Sequence, residues 1–261
     1  MLDIFSKFVV GKSQVIATAI HDGHDTRTEV TNQFAISSAD RLREEDPFTG
    51  LWTDIADTSV VCRNSRFQVD LNRPREKAVY IKPEDAWGLK VWQTTPTEES
   101  VKDSLAEYDY FYTTMHKIIS DLIHKHKHIV ILDLHTYNHM RDGSDGPPAD
   151  PAGNPEINVG TDTTNRPKWR SLVDRYIDDF IKFNFMGRHL DVRENIKFKG
   201  GQFSKWCHQN FPDSCCVLSV EVKKIFMDEW TGKRDIPTFD AVHEALKATT
   251  IGIFEELQKL K

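Results

Sequence analysis

The chain has 261 residues, of which 39% are hydrophobic and 28% charged, with only 13 Gly and 11 Pro, a composition that excludes collagen-like, low-complexity and wholly disordered chains. Its 40 acidic residues against 34 basic ones leave a formal charge of −6, so no general attraction draws it to nucleic acid or an anionic membrane. No apolar run approaches the ~18 residues of a membrane helix, and the opening residues lack the charged start and cleavage site of a leader, so a soluble cytoplasmic protein is expected.

Val9 to Ile20 reads as one or two strands, because β-branched and small apolar residues run up to a polar cluster that begins at His21. Residues 22–57 are rich in Asp, Arg, Thr and Glu, which predicts a long excursion with short helices. Thr58 to Arg63 reads as the next strand. From Glu98 to Lys125, Val101, Leu105, Tyr108, Tyr112, Met115, Ile119 and Leu122 recur at steps of three and four, the spacing of one helical face. The run from His128 to His135 is apolar without alternation, as expected of a strand covered on both faces.

Turn formers crowd residues 141–167 and predict a loop, ordered or able to close over a ligand. Trp169, Leu172, Val173, Tyr176, Ile177 and Phe180 mark a second amphipathic helix. Cys215 to Val222 is another apolar strand that carries Glu221 near its end, and a last helix is expected from Thr238 to Leu260. Neither repeat nor linker interrupts the pattern, so the expectation is one α/β domain over residues 1–261. Four cysteines without a CxxC spacing, Cys62, Cys207, Cys215 and Cys216, point to reduced thiols rather than to a disulfide framework or zinc ribbon.

Two strands end in histidine, at His21 and at His135. Ligands of open α/β sheets gather beyond the strand C-termini, so these two residues can meet although they are far apart in sequence. Two imidazoles together suggest a zinc site, which needs a third N, O or S donor and an open position if it is to catalyse hydrolysis. Asp46 is one candidate, with Glu45 and His24 as rivals. A single histidine of this kind is more simply a surface or capping residue. His124, His126 and His128 lie among lysines where the long helix ends and are expected to face water or the helix dipole. His139 suits hydrogen bonding as well as ligation.

Arg66, Asn72 and Arg73 make a candidate carboxylate clamp, since guanidinium groups bind carboxylates through paired charge-assisted hydrogen bonds. The plainer reading is an ion pair of Asp70 with either arginine. Glu221 is a carboxylate in an apolar strand, and partial burial would raise its pKa toward that of a general base. Pairing with Lys223 or Lys224 is the alternative. Gly200 and Gly201 allow close backbone approach to a ligand or simply a turn, and their spacing is not that of a nucleotide loop.

In order along the chain, His21-Asp22-Gly23, Glu45-Asp46, Ser65 to Pro74, Leu132 to His135, Ile157 to Thr161, Phe198 to Gly201, and Val220-Glu221 followed by Phe226 to Glu229 resemble the N-formylglutamate amidohydrolase (deformylase) family. The resemblance spans about His21 to Trp230. It implies the fold of the zinc carboxypeptidases and aspartoacylases, a zinc-exopeptidase (phosphorylase/hydrolase-like) architecture in which a mixed, mostly parallel sheet lies between helices. It further implies one Zn²⁺, or another divalent ion, on His21, Asp46 and His135, with Glu221 as base. Arg66, Asn72 and Arg73 would recognise a small-molecule carboxylate substrate, with Asn158, Thr161 and Gly201 as further contacts. Arg66 or Arg73 would also meet the oxyanion. The carboxypeptidases take their acidic ligand three residues after the first His. His24 occupies that place here, so the acidic ligand comes from Glu45-Asp46 or His24 itself ligates. The implied reaction is hydrolysis of an N-acyl acidic amino acid, first N-formyl-L-glutamate. A carboxypeptidase, another N-acyl amino-acid hydrolase and a non-catalytic carboxylate-binding protein are the alternatives.

Overall fold

The computed structural model describes residues 5–260. Residues 1–4, part of the opening segment read for a leader, and residue 261 lie outside it. The predicted run of residues 9–20 holds one strand, β2 (Val15–Ala19), and the strand before it, β1 (Ser6–Val9), shares only Val9 with that run. The turn between them is tied by Asp57, whose carboxylate accepts from the backbone N–H of Lys12 at 2.7 Å and Ser13 at 3.1 Å. The acidic stretch winds through α1 (Thr28–Thr31), α2 (Ser38–Glu44) and a 3-10 turn (Thr49–Ile55) before β3 (Thr58–Cys62).

The predicted long helix is α3 (Glu98–His126). Thr97 caps its start by accepting from Ser100 N–H, and His124, Lys125 and His126 oppose the dipole in the last turn. It leads into β4 (Ile129–Tyr137), buried at all nine positions, which is why its sequence shows no alternation. The reading of residues 141–167 as loop is corrected by β5 (Ile157–Gly160). Four residues with a central Asn have little strand signature of their own, and pairing with a neighbour decides their conformation. α4 (Arg170–Lys182) follows the expected apolar stripe, then come β6 (Val192–Glu194), α5 (Gln202–Asn210), β7 (Cys215–Lys223) and α6 (Ile236–Lys259). β6 and α5 are too short to stand out as periodic patterns.

The seven strands form one mixed sheet in the order β1-β3-β2-β4-β7-β5-β6. The centre, β3-β2-β4-β7, is parallel, and β1 and β5 join it antiparallel. Alternate residues of β4 and β7 enter two separate cores. Leu132, Leu134, Leu218 and Val220 pack with Tyr176 of α4 and Val242 of α6, whereas Ile129, Ile131 and Val217 pack with Met115 of α3 and Phe203 of α5. Helices therefore cover both faces, the arrangement that a buried parallel centre requires. A third cluster, including Phe34, Phe67, Tyr80 and Trp92, gives the excursion its own core. Among the described residues, no helix is long and apolar enough to cross a membrane.

Candidate active site

Because β2, β4 and β7 are parallel, their C-terminal ends open on the same crevice. His21 lies two residues past the end of β2, and His135 pairs directly with Glu221 in the β4-β7 register. Asp46 follows α2, and its backbone N–H donates to the His21 carbonyl at 2.9 Å, which brings the excursion back over the strand ends. His21, Asp46 and His135 thus converge, all three buried, with ligand atoms within 4.8 Å of one another. All of them line a cleft of about 280 Å³ that also takes in Glu221, Arg66 and Arg73.

The two imidazoles are oriented alike. His21 Nε2 lies 2.7 Å from Asp70 Oδ1, and His135 Nε2 lies 2.9 Å from Asp133 Oδ2. A carboxylate only accepts, so each Nε2 carries a proton outward, and the two Nδ1 atoms, which face Asp46, are the positions that could ligate a cation. His135 Nδ1 is 3.0 Å and His21 Nδ1 3.4 Å from Asp46 Oδ2. His21 Nδ1 is buried without a hydrogen-bond partner. An orphaned ring nitrogen, a second imidazole and a carboxylate at these spacings fit a divalent cation, since tetrahedral donors with ~2.1 Å bonds sit roughly 3.4 Å apart. Burial opposes ionisation of Asp46, but the hydrogen bond from His135 and the charge of the two imidazoles outweigh it and hold the carboxyl well below its ordinary range.

Glu221 has no such partner among the described residues. Burial pushes its carboxyl up to about 8, with His135 opposing the shift and Asp46 and Asp133 adding to it. The alternative of pairing with Lys224 is ruled out, because Lys224 Nζ donates instead to the carbonyls of Arg43 and Glu45. A carboxyl poised near neutrality can carry a proton in either direction.

The arginine cluster shows the plainer of the two readings, the ion pair with Asp70, and also lines the cleft. Arg66 donates from Nη2 to Asp70 Oδ2 at 2.8 Å, and Arg73 Nε lies 3.7 Å from the same oxygen. Asp70 is fully buried and spans from this ion pair to His21, so one carboxylate braces the guanidinium and the imidazole together. Tyr80 also donates its hydroxyl to Asp70. Trp87 lies in the left-handed region at φ 53°, and its ring receives Arg66 at 4.9 Å and Arg73 at 5.9 Å. Asn72 Oδ1 accepts from Phe203 N–H at 3.0 Å and so caps α5, which leaves only the Nδ2 hydrogens to offer a ligand. A Cβ at Gly201 would stand 2.2 Å from that same Oδ1, the close approach that glycine permits.

Several expected residues stand elsewhere. Asn158 and Thr161 are not among the residues that line the cleft, although Asn158 pairs with Glu221 in the β5-β7 register. Asn158 Oδ1 accepts from Ile196 and Lys197 N–H while its Nδ2 donates to the Phe198 carbonyl, so both ends of the amide help to shape the 196–198 turn. Thr161 donates its hydroxyl to Glu194 and its backbone N–H to Asn195 Oδ1. His24 and Glu45 lie outside the convergent donors and pair with each other at 2.5 Å. His139 Nδ1 is 2.6 Å from Glu229 Oε1. Asp133 and Asp70 carried no catalytic signal in the sequence, although Asp133 stands two residues before His135 and therefore on the same face of the strand.

A family model described as N-formylglutamate amidohydrolase matches residues 13–227. Among solved structures, the chain is similar to N-formylglutamate amidohydrolase from Ralstonia eutropha JMP134, with a TM-score of 0.74 and 14% identity, covering 98% of this chain and 99% of that one. It is also similar to a gene product from Agrobacterium tumefaciens, with a TM-score of 0.64 and 18% identity, covering 95% of this chain and 96% of that one. Comparison with curated proteins found no match. At these identities the solved structures speak for the fold, a mixed α/β sheet between helices, while the family model follows the segments that meet at the cleft. The chain belongs to the N-formylglutamate amidohydrolase family.

Proposed function

We propose that the chain is a metal-dependent amidohydrolase acting in the cytoplasm, with residues 1–261 as one catalytic domain. Its substrate is an N-acyl acidic amino acid, first N-formyl-L-glutamate, which water splits at the amide C–N bond into formate and L-glutamate. One observation carries the reading: three buried donors converge on a cleft that also holds a carboxyl of raised pKa and two guanidinium groups.

His21 and His135 through Nδ1, with Asp46 through a carboxylate oxygen, would hold the cation. Zinc suits this N/O donor set, and other divalent ions of similar preference also fit. Such an ion, when bound, acts as a Lewis acid and lowers the pKa of a coordinated water toward about 7. Glu221 accepts a proton from the attacking water and delivers it to the leaving nitrogen. Arg73 and Arg66 grip the substrate carboxylate through charge-assisted hydrogen bonds, and Arg66 also faces the negative charge that grows on the amide oxygen. Asn72 Nδ2 and the bare backbone at Gly201 orient the substrate beside them.

The test is formate release from N-formyl-L-glutamate before and after chelation, with zinc then restored. Loss and recovery of turnover are expected. Undiminished turnover after thorough metal removal rules out the metal-dependent reaction, and a panel of acyl groups and amino acids reads the specificity directly.

A further inference from the structure

Lys224 is a charged cleft residue that the reaction above leaves unused. It lines the cleft, is 1% exposed, and forms no ion pair with a carboxylate among the described residues. A buried ammonium is expensive to keep unless its hydrogens are well used. Here Nζ donates to the carbonyl of Arg43 at 2.6 Å and to that of Glu45 at 2.8 Å. These carbonyls belong to the end of α2, where no further helical turn supplies N–H donors to satisfy them.

The residue that follows Glu45 is Asp46. Its N–H is tied to the His21 carbonyl, and the peptide before it is tied to Lys224, so the backbone of Asp46 is held from two directions. Lys224 is itself anchored, because its own N–H donates to the Tyr137 carbonyl and prolongs the β4-β7 ladder past Glu221. The strand that carries Glu221 therefore also reaches across the cleft to the loop that carries Asp46. Asp46 comes from an excursion outside the sheet, whereas His135 rides on a strand and His21 directly follows one, so Asp46 is the donor in most need of such a tether.

We propose that Lys224 is a positioning residue for the metal centre, fixing the carboxylate of Asp46 against the two imidazoles. The inference rests on the metal-centre reading given above and assigns the ammonium no contact with substrate.

The test compares wild type with Lys224→Met, which keeps length but removes the donors, and with Lys224→Arg, which retains donors able to reach both carbonyls. Zinc affinity is measured by chelator competition, and the visible spectrum of the cobalt(II) form reports donor geometry. The expected result is a 10–100-fold weaker zinc affinity and shifted cobalt bands in Lys224→Met, with both largely restored in Lys224→Arg. Turnover at saturating zinc should show a lower kcat with KM nearly unchanged. If Lys224→Met does not fold, Lys224→Gln, with its neutral and shorter donor, should fall between wild type and loss. Wild-type zinc affinity and unshifted cobalt bands in the Met variant, or in the Gln variant in its place, would overturn the proposal and reduce Lys224 to a helix-end cap. Failure of the wild type to bind zinc or cobalt at this site sinks the metal-centre reading and this inference with it.

Discussion

Which nitrogen of each imidazole carries the proton decides what His21 and His135 can do. Asp70 and Asp133 are fully buried acceptors, and their contacts leave both Nδ1 atoms turned inward. An amide in place of either carboxylate keeps the shape but removes the charge that makes the ring a better ligand. Asp133→Asn is therefore expected to weaken zinc affinity by about 10–100-fold while the fold is retained, as read by chelator competition and circular dichroism. Unchanged affinity would show that the orientation is set by packing alone. Glu221 answers to a different measurement. Glu221→Gln cannot accept a proton, so kcat for formate release should fall about 10²–10⁴-fold with metal content unchanged. A variant that turns over like the wild type would transfer the proton role to another group.

Among the elements, α5 and β7 are joined at a point where the sheet has no strand to offer. β5 pairs with β7 only as far as Ser219, and the Val217 N–H beyond it donates to His208 Nε2 at 3.0 Å. His208 Nδ1 lies 2.8 Å from Thr163 Oγ1. Both contacts suit the neutral ring, and burial lowers its pKa from the usual value to about 4. The folded chain thus binds this proton less readily than the unfolded one. The stabilisation is complete above about 6.5 and is lost as pH falls from there through about 4, on the order of 3 kcal/mol in all. Urea unfolding at pH 7 and pH 4.5 checks it. His208→Gln should lose about 2 kcal/mol less than wild type between the two conditions, and equal losses would remove His208 from the account.

At the scale of the whole molecule, the cleft is assembled from segments that start at His21 and end at Lys224, so a ligand that needs all of them binds only the folded chain. Zinc at about 100 times its dissociation constant should add about 2.7 kcal/mol to the unfolding free energy and raise Tm accordingly. His21→Ala, which deletes one donor, should respond far less to the same zinc addition. An equal rise in both would mean that the ion acts at some other place.

Much of this was determined by the residue pattern alone, for physical reasons. Strands buried on both faces have to be continuously apolar and a helix on a core has to repeat every three to four residues, so β4, β7, α3 and α4 announce themselves locally. A polar residue interrupting an apolar strand end, as His135 and Glu221 do, is visible for the same reason. The side chains of Asn158 and Thr161 suit a ligand as well as a turn, and only the packed chain shows that Asn158 bonds the backbone of residues 196–198 and Thr161 bonds Glu194 and Asn195. The convergence of Asp46, rather than Glu45 or His24, with the two histidines was likewise tertiary, since neighbouring carboxylates differ only in the direction in which the folded backbone points them. So too was the bracing of both imidazoles by Asp70 and Asp133. A long-range hydrogen bond leaves no periodic trace in the chain; it exists only once the sheet has brought its ends together.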